Sequence, residues 1–97
     1  MINAGDICRA DLNEEVRRRV LVISTERFHR VSGRALIAPE LLGAPDEVPF
    51  PWRVPVEDGV YAVDLTRSLP LDRLLERTDR ATANAMTVVR RALLNIT

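Results

Sequence analysis

Apolar residues along the chain fall into short runs separated by turn residues, and only the last stretch has helical spacing. Ile7 to Leu12 alternates imperfectly behind the turn signal Gly5-Asp6 and predicts a short strand. Asn13 to Arg18 is polar and predicts a loop. Val20-Leu21-Val22-Ile23 is a run of the length and composition of a strand buried on both faces. Ser24 to Arg30 fits one helical turn or a loop, with Ser24 or Thr25 as cap. Ser32-Gly33 punctuates, and Arg34 to Ala38 predicts a third strand stopped by Pro39. The stretch Leu41 to Pro51 holds Gly43, Pro45, Pro49 and Pro51 and predicts a loop. Trp52, Val54 and Val56 share one face of the next strand, which Pro55 restricts to a sheet edge. Glu57-Asp58-Gly59 is a turn and Val60 to Leu65 the returning strand, so residues 52–65 predict a hairpin. Arg67 to Leu71 is extended, broken at Pro70. Asp79 is placed to cap a final helix in which Ala81, Ala85, Val88, Val89, Ala92, Leu93 and Ile96 recur at spacings of three and four. Five or six short strands and one C-terminal helix predict a single α+β, mainly β, antiparallel barrel-like domain over residues 1–97.

Size and charge narrow the function. The 97 residues allow one domain of the usual ~100-residue size. A monomer this small buries only about two-thirds of its unfolded surface, so a homodimer that extends the core is expected. No apolar run approaches the roughly 20 residues that span a bilayer, and no charged and hydrophobic leader opens the chain, so neither a membrane nor a secreted protein is expected. Cys8 and His29 are the only cysteine and histidine, which removes a Cys/His zinc site. All 14 basic residues are arginine, balanced by 14 acids. The charge is uneven: seven Arg and five acids over 1–37 give +2, one Arg and six acids over 38–64 give −5, and six Arg and three acids over 65–97 give +3. Neutrality argues against a strong non-specific polyanion binder and leaves room for a local basic groove, where arginine forks suit phosphate.

The order of the motifs resembles the MazF/PemK/Kid family of toxin endoribonucleases across nearly the whole chain. Gly5-Asp6-Ile7 with Ala10-Asp11-Leu12 is similar to that family's opening strand, and Arg18-Arg19-Val20-Leu21-Val22-Ile23 to its Arg-Pro-Val-Leu-Val-Ile strand. Phe28-His29-Arg30 stands where Phe-Asn-Arg is frequent, and Leu36-Ile37-Ala38-Pro39 where a third strand ends. Asp64-Leu65-Thr66-Arg67-Ser68-Leu69 followed by Arg73-Leu74 resembles the Asp/Glu-Gln-x-Arg-Thr-Ile…Arg-Leu block. The departures are specific. The glycine and proline of Gly-x-Arg-Pro are replaced in Val16-Arg17-Arg18-Arg19, the preceding loop is shorter, the third-strand Thr or Ser falls on Glu40, and an arginine used by one branch falls on Ala62.

The resemblance implies a small antiparallel SH3-like β-barrel with a C-terminal α-helix. It also implies a cytoplasmic, homodimeric toxin that cleaves single-stranded RNA, without metal or cofactor, through the substrate's 2′-hydroxyl. An antitoxin of the MazE type is the implied protein partner. Such cleavage needs a cation aimed at the phosphoryl oxygens and groups to move protons. On this reading Arg18 is the catalytic cation and Glu40 the general base, with Arg17, Arg19, Asp64 and Arg67 contacting RNA. Asp64 with Arg67 is a candidate positioning pair, while Trp52 and Tyr61 are candidates for packing or for base stacking. Two alternatives stay open: a catalytically impaired member that binds only RNA or antitoxin, and a CcdB-like gyrase poison. The ending Leu94-Asn95-Ile96-Thr97 lacks the Trp-Gly-Ile of the latter.

Overall fold

The structure, a computed structural model, describes residues 1–42 and 52–97. In chain order these form β1 (Asp6–Ala10), β2 (Arg18–Val22), α1 (Glu26–Ser32), β3 (Arg34–Pro39), β4 (Arg53–Val56), β5 (Gly59–Ala62), β6 (Arg67–Pro70), β7 (Leu74–Arg80) and α2 (Ala83–Leu94). Five strands make an antiparallel sheet in the order β6-β3-β2-β1-β7, and β4 and β5 pair as a separate ribbon. The class is the mainly β one that the sequence predicts.

One short connection shapes the sheet. β6 and β7 are its two edges, yet only the 3-10 turn Leu71–Arg73 joins them. Pro70 and Leu74 are thus at most about 14 Å apart, whereas flat pairing of five strands would separate the edges by about 19 Å. The sheet must coil. Coiling encloses an inner layer of Cys8, Ala10, Val20, Val22, Ala35, Ile37 and Leu69, with Leu71 and Leu74 packed against it. The described ladders run from β6 round to β7 with none between those two.

The other face of the same strands carries Ile7, Leu21 and Ala38, and here the ribbon and α2 pack. Val54, Val56, Tyr61 and Val63 meet Met86, Val89 and Ala92 across it. β2 is therefore buried on both faces, as its apolar run predicts.

Several boundaries differ from the sequence reading. β1 ends at Ala10, because Asp11 donates its N–H to the Arg73 carbonyl outside the ladder. The region 24–32 resolves as a helix with Thr25 as its cap, accepting from Phe28 N–H at 3.3 Å, and with Gly33 (φ 70°) closing it in the left-handed conformation. β5 stops at Ala62, where Val63–Leu65 turn in a 3-10 bend secured by Thr66 Oγ1 on the Val63 carbonyl at 2.6 Å. Asp79 caps nothing: it lies in β7 opposite Ile7, and Thr82 caps α2 by accepting from Ala85 N–H at 3.1 Å. β7 itself goes unforeseen because Leu-Leu-Glu-Arg-Thr-Asp-Arg has no apolar period; as an exposed edge strand it is held by its ladder to β1. On α2, Met86 takes an inward place, while the expected face residues Val88 and Ile96 stay 46% and 45% exposed. The loop expected over Leu41 to Pro51 lies, from residue 43 on, outside the described residues.

Val89 is fully buried between the sheet and the ribbon. Val89→Asp places an unpaired carboxylate there and should cost several kcal/mol, enough to unfold a marginal domain. Thermal melting by circular dichroism checks this; an unchanged transition would mean that α2 packs by another face.

Candidate functional site

The arginine run is split by the pleat of β2. Side chains alternate along a strand, so Arg18 shares the face of Val20 and Val22, and Arg19 shares that of Leu21. Arg19 sits across from Arg9 on β1 and one ladder step from Glu40, whose N–H donates to the Arg19 carbonyl at 3.0 Å. Arg19 Nε donates to Glu40 Oε1 at 3.2 Å, Nη2 donates to Glu40 Oε2, and Nη1 donates to Asp58 Oδ1 at 2.8 Å. One guanidinium thus ties the end of β3 to the turn of the ribbon. Such bidentate pairs raise the arginine's proton affinity, and Arg19 in turn holds the Asp58 carboxyl below the usual carboxylate range.

The turn residue Gly59 explains how Glu40 fits. A Cβ there would overlap Glu40 Oε2 and press on Tyr61 Cε1 at 3.2 Å, so the ribbon can approach only where no side chain stands. Tyr61, paired with Glu40 by an isolated bridge, is fully buried, and its hydroxyl has no hydrogen-bond partner among the described residues. Burial pushes its pKa up to about 12, against a partial downward pull from Arg19.

Arg18 faces the other way. Its Nη2 donates to Glu14 Oε2 at 2.9 Å, and its Nε is buried without a partner among the described residues. Arg17 forms an exposed pair with Asp11 at 3.3 Å. The structure therefore brings Glu40 to Arg19, with Arg18 on the opposite face of β2. Asp64 pairs with Arg53 at 3.2 Å, not with Arg67, because Arg53 stands directly across the ribbon from Ala62. Arg67 is exposed on the edge strand β6, with no ion pair among the described residues.

Glu14, Arg53 and Asp58 escape sequence reasoning, since each acts through a partner that only the fold brings near. Asp6 escapes for a different reason: its Gly-Asp reads as a turn. It is fully buried, accepting from Asn3 N–H at 2.9 Å and from Arg80 Nε at 3.0 Å, with Arg77 at 3.8 Å. His29 is likewise buried, with Nε2 at 2.7 Å from Ser24 Oγ and Nδ1 at 2.9 Å from the Ile2 carbonyl. The Ile2 carbonyl can only accept, so Nδ1 donates to it; in the neutral ring Nε2 then accepts from the Ser24 hydroxyl, whose oxygen also accepts from Leu36 N–H at 2.9 Å. This histidine ties α1 to the N-terminus and to β3. Cys8 fills the inner layer.

A rolled, mainly β domain with an arginine-rich strand end and a C-terminal helix is the architecture of a toxin of this resemblance, and comparison with known proteins agrees. The profile of PemK-like, MazF-like toxins of type II toxin–antitoxin systems matches residues 3–97, and the chain belongs to that family. Toxins of this family are generally endoribonucleases. The chain is 26% identical to a chain of the MazE–MazF crystal structure (form II) from Deinococcus radiodurans, covering 98% of this chain and 93% of that one with a TM-score of 0.83. It is 28% identical to a chain of the form I complex from the same organism, covering 98% and 94% with a TM-score of 0.79. An endoribonuclease in complex with its cognate antitoxin from a mycobacterial species shares the fold at 18% identity, covering 98% and 93% with a TM-score of 0.81. No curated protein matches the chain.

The buried hydroxyl and thiol give a pH signature. Tyr61 titrates near 10 when unfolded and about 12 when folded; Cys8 moves from 9.0 to about 11, chiefly by burial and then by Asp6. Both pKa values are raised on folding, so their contribution is full below pH 9 and is lost as pH rises from about 9 to 12. Tyr61→Phe should leave stability at pH 7 unchanged or slightly higher and should remove the part lost above pH 10. Urea melts between pH 7 and 11 check both signs; equal alkaline loss in the variant would contradict the assignment.

Proposed function

We propose that this chain is the toxin of a toxin–antitoxin pair and acts as a metal-independent, sequence-selective endoribonuclease on single-stranded RNA, either mRNA or exposed loops of tRNA or rRNA. The family match over residues 3–97 carries this reading, and it favours RNA over gyrase as the target. The chemistry follows from the charge that develops. When the 2′-hydroxyl attacks the adjacent phosphorus, its proton leaves, negative charge grows on a five-coordinate centre, and the 5′-oxygen departs with a proton. A preorganised cation at the phosphoryl oxygens stabilises that state.

Arg18 is the proposed cation. It is a guanidinium at the start of β2, held among the described residues by Glu14, whose side chain is 42% exposed. An incoming phosphate can displace that carboxylate, and a swing of the side chain would then expose Nε, which has no partner among the described residues, as a further donor. Arg17 and Arg67, both exposed, are proposed to meet neighbouring phosphates. Glu40 is proposed as the base, and Arg19 is the group that aims its carboxylate. Because Arg18 and Glu40 leave β2 and β3 on opposite faces, RNA must wrap the strand ends to touch both. A homodimer, in which a second copy offers its own strand ends, supplies such a continuous surface. A MazE-like antitoxin with an acidic or hydrophobic tail is the proposed protein partner, folding as it covers the groove, and the cytoplasm is the proposed compartment.

Arg18→Ala should lower cleavage by roughly 10²–10³-fold with folding intact, the scale for losing one preorganised donor. Arg18→Lys should recover only part, because an ammonium lacks two parallel N–H groups. Cleavage should persist in excess EDTA and stop when the scissile nucleotide carries deoxyribose. Glu40→Gln separates two roles: a large loss of rate with normal melting marks a base, and lowered melting with a normal rate marks a structural anchor. Cleavage at the deoxyribose-substituted site would refute the reaction class.

A further inference from the structure

A single row of charged side chains crosses the face of the sheet that carries Glu40. Arg9 on β1 stands opposite Glu76 of β7 on one side and opposite Arg19 of β2 on the other. Glu40, just past β3, continues the row with its N–H on the Arg19 carbonyl. Alternation gives Arg9 the face of Ile7 and Arg19 the face of Leu21. The row Glu76, Arg9, Arg19, Glu40 therefore lies next to the apolar row that the ribbon and α2 cover. Two like charges directly across an antiparallel pair destabilise it, because their Cβ atoms are only about 5 Å apart. The fold offsets that cost unequally. Arg19 is gripped by Glu40 and Asp58. Arg9 has one ion pair among the described residues, Nη1 to Glu76 Oε1 at 3.1 Å, and the two side chains are 51% and 60% exposed. A pair this open is weakly held.

We infer that Arg9 is a substrate-binding residue: it takes a backbone phosphate of the RNA on the Glu40 face, and Glu76 is the carboxylate that this phosphate displaces. The inference rests on the endoribonuclease reading and adds a cation on the side of β2 from which Arg18 is turned away. Neighbouring strands are about 4.8 Å apart, so the Arg9 and Glu40 backbones are separated by about 10 Å. One RNA strand laid along the row meets both. A guanidinium presents two parallel N–H groups to a phosphate, and exchanging one oxyanion for another leaves the two adjacent arginines compensated as before. Arg19 keeps its own carboxylates, so Glu40 stays aimed while Arg9 changes partner. A backbone contact fixes where the strand lies without reading its bases.

The probe is a dye-labelled single-stranded RNA with fluorine in place of every 2′-hydroxyl, which removes the proposed nucleophile. It is titrated with the full chain by fluorescence anisotropy at several salt concentrations. Arg9→Ala should weaken binding by about ten-fold, the scale of one charge-assisted contact. It should also flatten the slope of log affinity against log salt by about 0.7, the value for one phosphate of a single strand. Arg9→Lys should keep the slope. Glu76→Gln should tighten binding roughly three-fold, because the competing carboxylate is gone, and should do nothing in the Arg9→Ala background. With all-ribose RNA, Arg9→Ala should raise KM and leave kcat near that of the parent. Unchanged affinity and slope in Arg9→Ala, while the parent cleaves all-ribose RNA, would overturn the contact and leave the nuclease standing. An Arg9-dependent slope with all-ribose RNA left intact would keep the contact and overturn the nuclease. Tightening by Glu76→Gln that persists without Arg9 would reflect a general loss of acidic repulsion and would also overturn the contact.

Discussion

Arg19 grips Glu40 from β3 and Asp58 from the ribbon turn, and the placement of the whole β4–β5 ribbon depends on that grip. Its side chain is 28% exposed and that of Glu40 only 12%, so neither can simply return to water. Removing one member of such a cluster leaves its partner's charge stranded, which is why half-buried pairs are more damaging to break than their net contribution suggests. Gly59 makes room for the Glu40 carboxylate, Tyr61 seals it from inside, and Val54 and Val56 then sit over Leu21. α2 closes over the ribbon in turn.

The pleat of β2 gives adjacent arginines unlike duties. Arg19, turned toward the ribbon, is occupied by two carboxylates and serves architecture. Arg18, turned away, is held among the described residues by one exposed glutamate from a loop. An arginine bound by one surface carboxylate gives it up for a phosphate at small cost, since exposed ion pairs are worth under about 1 kcal/mol. The two arginines thus differ in how firmly they are held, and Arg18 is the one the proposed mechanism assigns to the phosphate.

Those features whose physics is local were legible in the sequence. The buried run Val20 to Val22, the Trp52/Val54/Val56 alternation, the turn at Glu57 to Gly59 and the apolar spacing of α2 all report burial or turn chemistry within a few residues. β7 was not legible, because an edge strand held by its neighbour's backbone needs no apolar period of its own. The capping of α2 moved from Asp79 to Thr82 for the same reason, since β7 claims Asp79. At the site, the arginine run was visible, but its division between faces needed the register, and Glu14, Arg53 and Asp58 became partners only through the fold. The replacement of a Thr or Ser by Glu40 was visible as chemistry; that it answers to Arg19 was not.

The central claim is that RNA supplies its own nucleophile to an arginine-lined site. The ends of the product strands test it most directly. Mass spectrometry of a short RNA cut by the purified chain should find a 2′,3′-cyclic phosphate on the upstream fragment and a 5′-hydroxyl on the downstream one. That pair of ends follows from attack by the 2′-hydroxyl and departure of the 5′-oxygen. A 3′-hydroxyl with a 5′-phosphate would mean that water attacked from outside, and the account of Arg18 as the cation for an internal displacement would be contradicted.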